Sequence, residues 1–107
     1  MAREATTPTL IRAQLAGDRA TVRMLMAHEM ESGQRKDSAG QTVPAWHIQQ
    51  VLATLNGRMV FSAQWGPGMA KNPYLQFSLR GAKAGDKLAL RWQDNRGASR
   101  SDEITLA

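Results

Sequence analysis

The chain has 107 residues, with 14 Lys plus Arg against 9 Asp plus Glu and a formal charge of +5 at pH 7. This length predicts one domain over residues 1–107, with residues 1–8 as a flexible N-terminal segment. The sequence contains no cysteine, which excludes disulfides, thiolate metal sites and a cysteine nucleophile. It has no apolar run near the ~18 residues that a membrane helix needs, and we expect no membrane contact and no export signal of its own.

The first predicted element is a β-hairpin near the N-terminus. Apolar residues alternate with polar ones on both sides of a Gly17-Asp18 turn. Alternation with a period of two places apolar side chains on one face of a strand. The apolar positions of this hairpin are Ile11, Ala13, Leu15, Val22, Met24 and Met26.

A second hairpin is predicted after a polar loop that runs from Glu29 to Thr42. Asn56-Gly57 marks its turn, because both residues accept the positive φ of a type I′ turn. The alternation of apolar and polar residues along its first strand shifts by one position near Gln49-Gln50, and this parity slip indicates a β-bulge. The residues that we expect on the core face of its second strand are Met59, Phe61, Ala63 and Trp65.

Three further strands complete the predicted fold. They carry alternating apolar residues and are separated by a Gly81–Gly85 loop and an Asp94–Gly97 turn. About seven short strands with frequent turns predict an all-β fold, an immunoglobulin-like antiparallel β-sandwich. The apolar positions of these last strands are Leu75, Phe77, Leu79, Leu88, Leu90, Trp92, Ile104 and Leu106.

The segment from Gln64 to Tyr74 combines a Trp and a Tyr with two Gly and two Pro. Pro removes a backbone donor and Gly favours turns, so this stretch passes between strands as a loop. Two interpretations remain open: a recognition surface and a plain crossover between strands.

Catalytic signals are sparse. The sequence has no nucleophile elbow, phosphate-binding loop or zinc-protease motif. His28 and His47 are its two histidines, and we interpret both as hydrogen-bonded structural residues rather than general bases. We therefore predict no catalytic residue, no cofactor and no metal.

A row of methionines and one histidine offers an alternative function. Met24, Met26, His28 and Met30 occupy every second position, so on an extended strand they would share one face. Thioether and imidazole ligands suit Cu(I), which makes a stand-alone copper-binding sandwich one hypothesis. In the other interpretation, Met24 and Met26 fill the core while His28 and Met30 lie beyond the strand end.

The arginines are scattered rather than grouped. Arg12, Arg23, Arg80 and Arg91 each alternate with apolar residues, as on the solvent faces of strands. We interpret them as solvated rather than as a nucleic-acid surface. The net charge can still steer an acidic protein partner.

Many short motifs occur in one order along the chain. They are His28-Glu29-Met30-Glu31-Ser32-Gly33, Arg35-Lys36-Asp37, Pro44-Ala45, Ile48-Gln49, Asn56-Gly57, Gln64-Trp65-Gly66-Pro67, Lys71-Asn72-Pro73, Ala84-Gly85-Asp86 and Trp92-Gln93-Asp94-Asn95. With these motifs the chain closely resembles, from about Leu10 to the C-terminus, the SoxZ family, the Z subunit of the bacterial sulfur-oxidation carrier. One departure is Glu29, where the family usually has proline.

The resemblance implies an immunoglobulin-like sandwich that forms a heterodimer with SoxY and makes no bonds itself. SoxY carries the sulfur intermediate on a C-terminal Gly-Gly-Cys-Gly-Gly arm. In the family scheme a haem enzyme conjugates thiosulfate to that cysteine, a manganese hydrolase releases sulfate, and a molybdenum sulfane dehydrogenase oxidises the remaining sulfur. The absence of cysteine here agrees, because a second thiol could intercept the intermediate by exchange.

The resemblance also implies a compartment and a set of contacts. SoxY of the family bears a twin-arginine signal, so we expect a periplasmic protein exported with its partner. One apolar face would dock SoxY, and without that partner it would favour self-association into a homodimer. Loops at one end would contact the enzymes. The candidate contact residues are His28, Met30, Glu31, Arg35, Lys36, Trp65, Pro67, Lys71 and Asn72.

Overall fold

The computed structural model describes residues 3–107, and within that range it contains strands and no helix. No membrane-spanning helix is therefore found among these residues. The strands are β1 (Arg3–Glu4), β2 (Leu10–Ala16), β3 (Arg19–Leu25), β4 (Ile48–Leu55), β5 (Arg58–Gln64), β6 (Tyr74–Arg80), β7 (Lys87–Asp94) and β8 (Ala98–Thr105).

The strands form two sheets that enclose one core. The larger sheet has the order β1-β8-β7-β4-β5, and the smaller has the order β2-β3-β6. The seven longer strands pair antiparallel, and the short β1 pairs parallel with β8. The predicted all-β sandwich of about seven strands is confirmed.

Both predicted hairpins are present. β2 and β3 pair from Leu10↔Leu25 to Ala16↔Arg19 around Gly17, whose φ is 64°. Asn56 and Gly57 connect β4 to β5 with φ values of 52° and 83°. Positive φ at both central residues is what a type I′ turn requires, so the local sequence explains this turn.

Strand β4 contains the predicted bulge, and its partner β5 contains a second one that was not predicted. The register of β4 with β7 shifts between Ile48 and Gln50, as the parity slip indicated. The register of β4 with β5 shifts between Ala53 and Thr54, where Val60 is the extra residue of β5 and Met59 comes to lie opposite Thr54. The prediction that Met59 faces the core is wrong: this side chain is 61% exposed, because the bulge turns it to the outer face.

The core lies between the inward faces of the two sheets. Its buried positions alternate along β3 and β7, where every second residue is buried. Burying a side chain of Val, Leu or Met size contributes about 1.5–3 kcal/mol each, so this cluster supplies most of the stabilisation. Its largest members are Trp92, Met24, Met26, Ile48, Leu88, Leu90, Val22 and Val51.

The N-terminal segment pairs with the larger sheet. In β1, Arg3 lies opposite Ala98 and Glu4 opposite Ser99, and the backbone N–H of Ala5 donates to Ser99 O at 2.8 Å. The predicted flexible segment was residues 1–8, of which residues 1–2 lie outside the described range. Its flexibility and the prediction of a single domain stay predictions.

Candidate partner-binding site

The last inward-facing residue of β7 is a carboxylate. Leu88, Leu90 and Trp92 face the core, and Asp94 follows with the same parity. The Asp94 side chain is fully buried, with an exposed fraction of 0%. A buried carboxylate is costly unless donors satisfy its oxygens, so the chain near Asp94 has to supply them.

Four donors surround the Asp94 carboxylate. Oδ2 accepts from His28 Nε2 at 3.0 Å and from Trp46 Nε1 at 2.8 Å. Oδ1 accepts from the backbone N–H groups of Arg96 at 2.9 Å and Ala98 at 2.8 Å. Burial raises the pKa of Asp94, but these hydrogen bonds outweigh it and hold the pKa below the ordinary value of 3.8. We call Asp94, His28 and Trp46 the inner cluster.

Hydrogen bonds and aromatic contacts fix the position of the His28 ring. The backbone N–H of Met30 donates to His28 Nδ1 at 3.0 Å, so Nδ1 is an acceptor and Nε2 carries the proton given to Asp94. The ring packs edge-on against Trp46 and Trp92, with centroids 5.0 and 5.3 Å away. Both ring nitrogens are occupied, which agrees with the prediction of a structural histidine.

The inner cluster joins two loops. Loop A, residues 26–47, contains His28, and loop B, residues 65–73, contains Asn72. Asn72 N–H donates to His28 O at 2.8 Å, and Asn72 Oδ1 accepts from His28 N–H at 3.0 Å. Asn72 has φ 52°, a conformation that asparagine tolerates better than most residues. This paired contact fixes the path of loop B beside loop A.

A cleft of about 550 Å³ opens between these loops on the surface, and we call it the loop cleft. One ion pair crosses the cleft, because Lys71 Nζ of loop B lies 3.3 Å from Glu29 Oε2 of loop A. A second pair borders it within loop A, where Arg35 Nη2 lies 2.8 Å from Glu31 Oε1. Five of the predicted contact residues line it. They are Met30, Glu31, Arg35, Pro67 and Lys71.

Glu31 connects the loop cleft to the inner cluster. Its backbone exchanges two hydrogen bonds with Trp46, at 2.6 and 2.9 Å. Its side chain accepts from Arg35 Nε and Nη2, and that hydrogen bonding lowers the pKa of Glu31 below 4.5. The same residue therefore holds the half-buried Trp46 through its backbone and offers a charged pair at the surface.

Four other predicted contact residues lie outside the loop cleft. His28 and Asn72 border a second cavity of about 510 Å³ on the side of the inner cluster. Lys36 pairs with Thr42 within loop A. Trp65 is half-buried against the core and borders a polar cleft with glutamine side chains.

The side chains of the methionine and histidine row pack into the core or form hydrogen bonds. Met24 and Met26 are buried in the core, at 1% and 0% exposure. Met30 Sδ accepts from the backbone N–H of Ile48 at 3.3 Å, and both nitrogens of His28 are occupied. No group of three or more His, Asp or Glu side chains suited to a metal occurs in the described part of the chain. The core interpretation of this row is confirmed.

Comparison with known proteins identifies the family. The family model for the sulphur oxidation protein SoxZ matches residues 11–105. The chain belongs to the SoxZ family. No curated protein sequence gives a significant match.

Solved structures share the fold of this SoxZ-family chain at low sequence identity. A hypothetical protein from Pyrococcus horikoshii OT3 has a TM-score of 0.64 and 17% identity, over 94% of this chain and 88% of that chain. An oxidised superoxide reductase has a TM-score of 0.67 and 16% identity, over 99% and 96% of the two chains. These similarities support the sandwich architecture and carry no functional argument.

Asp94 of this SoxZ-family chain was not among the predicted site residues; the sequence indicated it only as part of a turn and of the Trp92-Gln93-Asp94-Asn95 motif. Its parity with Leu88, Leu90 and Trp92 was the signal that placed it inward. Glu29, the position where the family usually has proline, also acquires a contact, because it pairs with Lys71 of loop B.

Proposed function

We propose that this chain is the non-catalytic subunit of a SoxYZ carrier, in which it supports the SoxY arm that bears covalent sulfur intermediates. The observation that carries the proposal is the family match over residues 11–105. The absence of cysteine supports it, because no thiol of this subunit competes for a persulfide on the arm. The thiosulfate-conjugating haem enzyme, the sulfate-releasing hydrolase and the sulfane dehydrogenase then act on the arm in turn.

The loop cleft is the proposed contact for those enzymes. Arg35 and Lys71 expose 58% and 62% of their side chains there, and Pro67 lies beside them. Exposed loop residues on a rigid scaffold are common binding positions. The inner cluster supports the shape of this surface, since its members hold the two loops while His28 and Asp94 are buried.

The proposal includes a periplasmic location, which follows from the family scheme in which SoxY carries the export signal. Fractionation of cells that express both subunits tests this point. We expect the chain in the periplasmic fraction when the SoxY signal is intact, and in the cytoplasm when both signal arginines of SoxY are changed to lysine.

Copurification is the deciding experiment. The chain is isolated from a periplasmic extract of thiosulfate-grown cells, and intact masses are recorded for everything bound to it. We expect a near-stoichiometric partner whose C-terminal cysteine carries a thiosulfonate or persulfide adduct. Recovery of the chain alone, or with bound copper, would overturn the proposal.

The adduct itself needs a control. Treatment of the same sample with a reductant should remove the added sulfur mass from the partner and leave the mass of this chain unchanged, because it has no cysteine. A sulfur adduct on this chain would contradict its role as the non-catalytic support.

A further inference from the structure

The outer face of the β2-β3-β6 sheet has an unusual composition, and we call it the arginine face. Residues directly opposite on the three strands form four rows that point away from the core. The rows are Leu10–Leu25–Tyr74, Arg12–Arg23–Gln76, Gln14–Thr21–Ser78 and Ala16–Arg19–Arg80.

The first row is apolar and exposed. Leu10, Leu25 and Tyr74 are 57%, 41% and 54% exposed, and among the described residues the only other large hydrophobic side chain so exposed is Met59. Three such side chains in direct cross-strand contact form a patch rather than scattered positions. Contiguous exposed apolar patches mark interaction surfaces in soluble proteins.

Two of the remaining rows are basic, the third is neutral, and none contains an acid. Arg12 lies opposite Arg23, and Arg19 lies opposite Arg80. Like charges directly opposite on a sheet destabilise it. Within residues 3–107 none of these four arginines has an ion pair or a side-chain hydrogen bond with another residue. The sheet thus carries repulsion that an acidic partner surface would relieve.

The outer face of the larger sheet has neither a row of exposed apolar side chains nor arginines opposite each other. Its rows mix single apolar, neutral polar and charged residues of both signs, as in Glu103–Ala89–Thr54 and Ser101–Arg91–Leu52. Arg91 therefore has no arginine opposite it. Of the two outer faces, only the arginine face combines an apolar row with paired cations.

We propose that the arginine face docks the cysteine-bearing SoxY subunit, through an acidic surface of SoxY that presents apolar side chains to Leu10, Leu25 and Tyr74. This inference rests on the proposed function and adds the surface that performs it. Tyr and Arg are enriched at protein interfaces, and complementary charge fixes register and accelerates encounter. A second copy of this chain is disfavoured as the occupant, because it would bring arginines against arginines.

Matched variants of the full chain test the surface. Arg23→Glu lies on the central strand of the smaller sheet, and its control Arg91→Glu lies on a central strand of the larger sheet. Leu10→Ser lies on an edge strand, and its control Met59→Ser is an equally exposed change on the edge strand β5. Affinity for purified SoxY is measured for all four by calorimetry.

We expect Arg23→Glu and Leu10→Ser each to weaken SoxY binding by about tenfold or more, while both controls bind like the parent chain. Arg23→Glu places a carboxylate opposite Arg12, so the thermal midpoint of the isolated variant should be unchanged or higher. Weakened binding then reports the interface and not misfolding.

The outcomes separate the two proposals. If the parent chain does not bind SoxY, the proposed function fails. If the parent binds and the face variants bind as tightly as the controls, the docking surface is elsewhere and this inference is wrong. Sedimentation of the isolated chain and its binding to duplex DNA are measured in parallel. A homodimer or a DNA complex lost specifically in Arg23→Glu would assign the face to that occupant instead and overturn the inference.

Salt gives a second readout. The association rate of the parent chain with SoxY should fall as ionic strength rises, because exposed charges are screened. The salt dependence should be smaller for Arg23→Glu than for Arg91→Glu. Equal salt dependence in these two variants would also contradict the arginine face.

Discussion

The inner cluster and the loop cleft each contain a short contact to a carboxylate, and the two contacts differ in burial. The His28–Asp94 contact is 3.0 Å and the Arg35–Glu31 contact is 2.8 Å, so distance does not separate them. Burial does: the Asp94 side chain is fully covered, whereas Arg35 is 58% exposed. Buried polar groups depend on their partners for stability, while exposed pairs contribute little and remain free for a ligand. Two carboxylates, Asp94 at the end of β7 and Glu31 in loop A, can therefore serve folding and binding separately.

The largest effect is expected for Asp94→Ala. The change leaves the ring N–H of His28, the indole N–H of Trp46 and two backbone N–H groups without their acceptor. Each unsatisfied buried donor costs about 1–3 kcal/mol, and water in the adjacent cavity compensates in part. We expect the free energy of unfolding in urea to fall by about 3–5 kcal/mol.

Asp18→Ala is the control for this change, because Asp18 is exposed in the first hairpin turn. Its free energy of unfolding should stay within about 0.5 kcal/mol of the parent chain. If both variants lose the same stability, the inner cluster does not have the structural role assigned to it.

The pH dependence of stability tests the role of the buried Asp94 charge. The pKa of Asp94 lies below its ordinary value of 3.8 in the folded chain, so ionised Asp94 stabilises the folded state above that value. The contribution is lost as pH falls through the lowered folded pKa. We expect the difference in free energy of unfolding between the parent and Asp94→Asn to narrow from pH 6 to pH 2.5. A difference that stays constant over this range would contradict the role of the charge.

Trp46→Phe removes one donor and keeps most of the ring. The lost hydrogen bond from Nε1 to Asp94 Oδ2 is 2.8 Å long, while the face that contacts Arg96 at 4.7 Å is retained by phenylalanine. We expect a loss of about 1 kcal/mol in urea unfolding. Trp65→Phe is the matched control, since within residues 3–107 its indole N–H has no hydrogen-bond acceptor. If Trp65→Phe loses more free energy of unfolding than Trp46→Phe, this ranking is contradicted.

Local patterns predicted the strands and turns because those signals are contained in neighbouring residues. Asn56-Gly57 and the slip near Gln49 specify a turn and a bulge by themselves. Met59 was misplaced because the second bulge, beside Ala53, depends on how β5 pairs with β4. Pairing between strands depends on the whole sheet, so it cannot be predicted from neighbouring residues alone.

The candidate site was predicted in part for the same reason. The motifs of loops A and B are local, and five of their residues meet in the loop cleft. Asp94 is 66 residues from His28 in sequence, and only the parity of β7 hinted that it faces inward. The arginine face was missed because Arg12 and Arg23 become neighbours through register, which composition does not reveal.

The smallest effect on stability is expected for Arg35→Ala, and it separates the two regions most clearly. Because Arg35 and Glu31 form an exposed pair, urea unfolding of Arg35→Ala should be indistinguishable from that of the parent chain. We expect the change to weaken partner binding instead of stability. Turnover of the reconstituted carrier with the thiosulfate-conjugating enzyme should fall severalfold in Arg35→Ala and in Lys71→Ala, and remain at the parent level in Arg58→Ala, an exposed arginine at the start of β5. Loss of stability without loss of turnover would place Arg35 with the inner cluster and remove the functional distinction between the two regions.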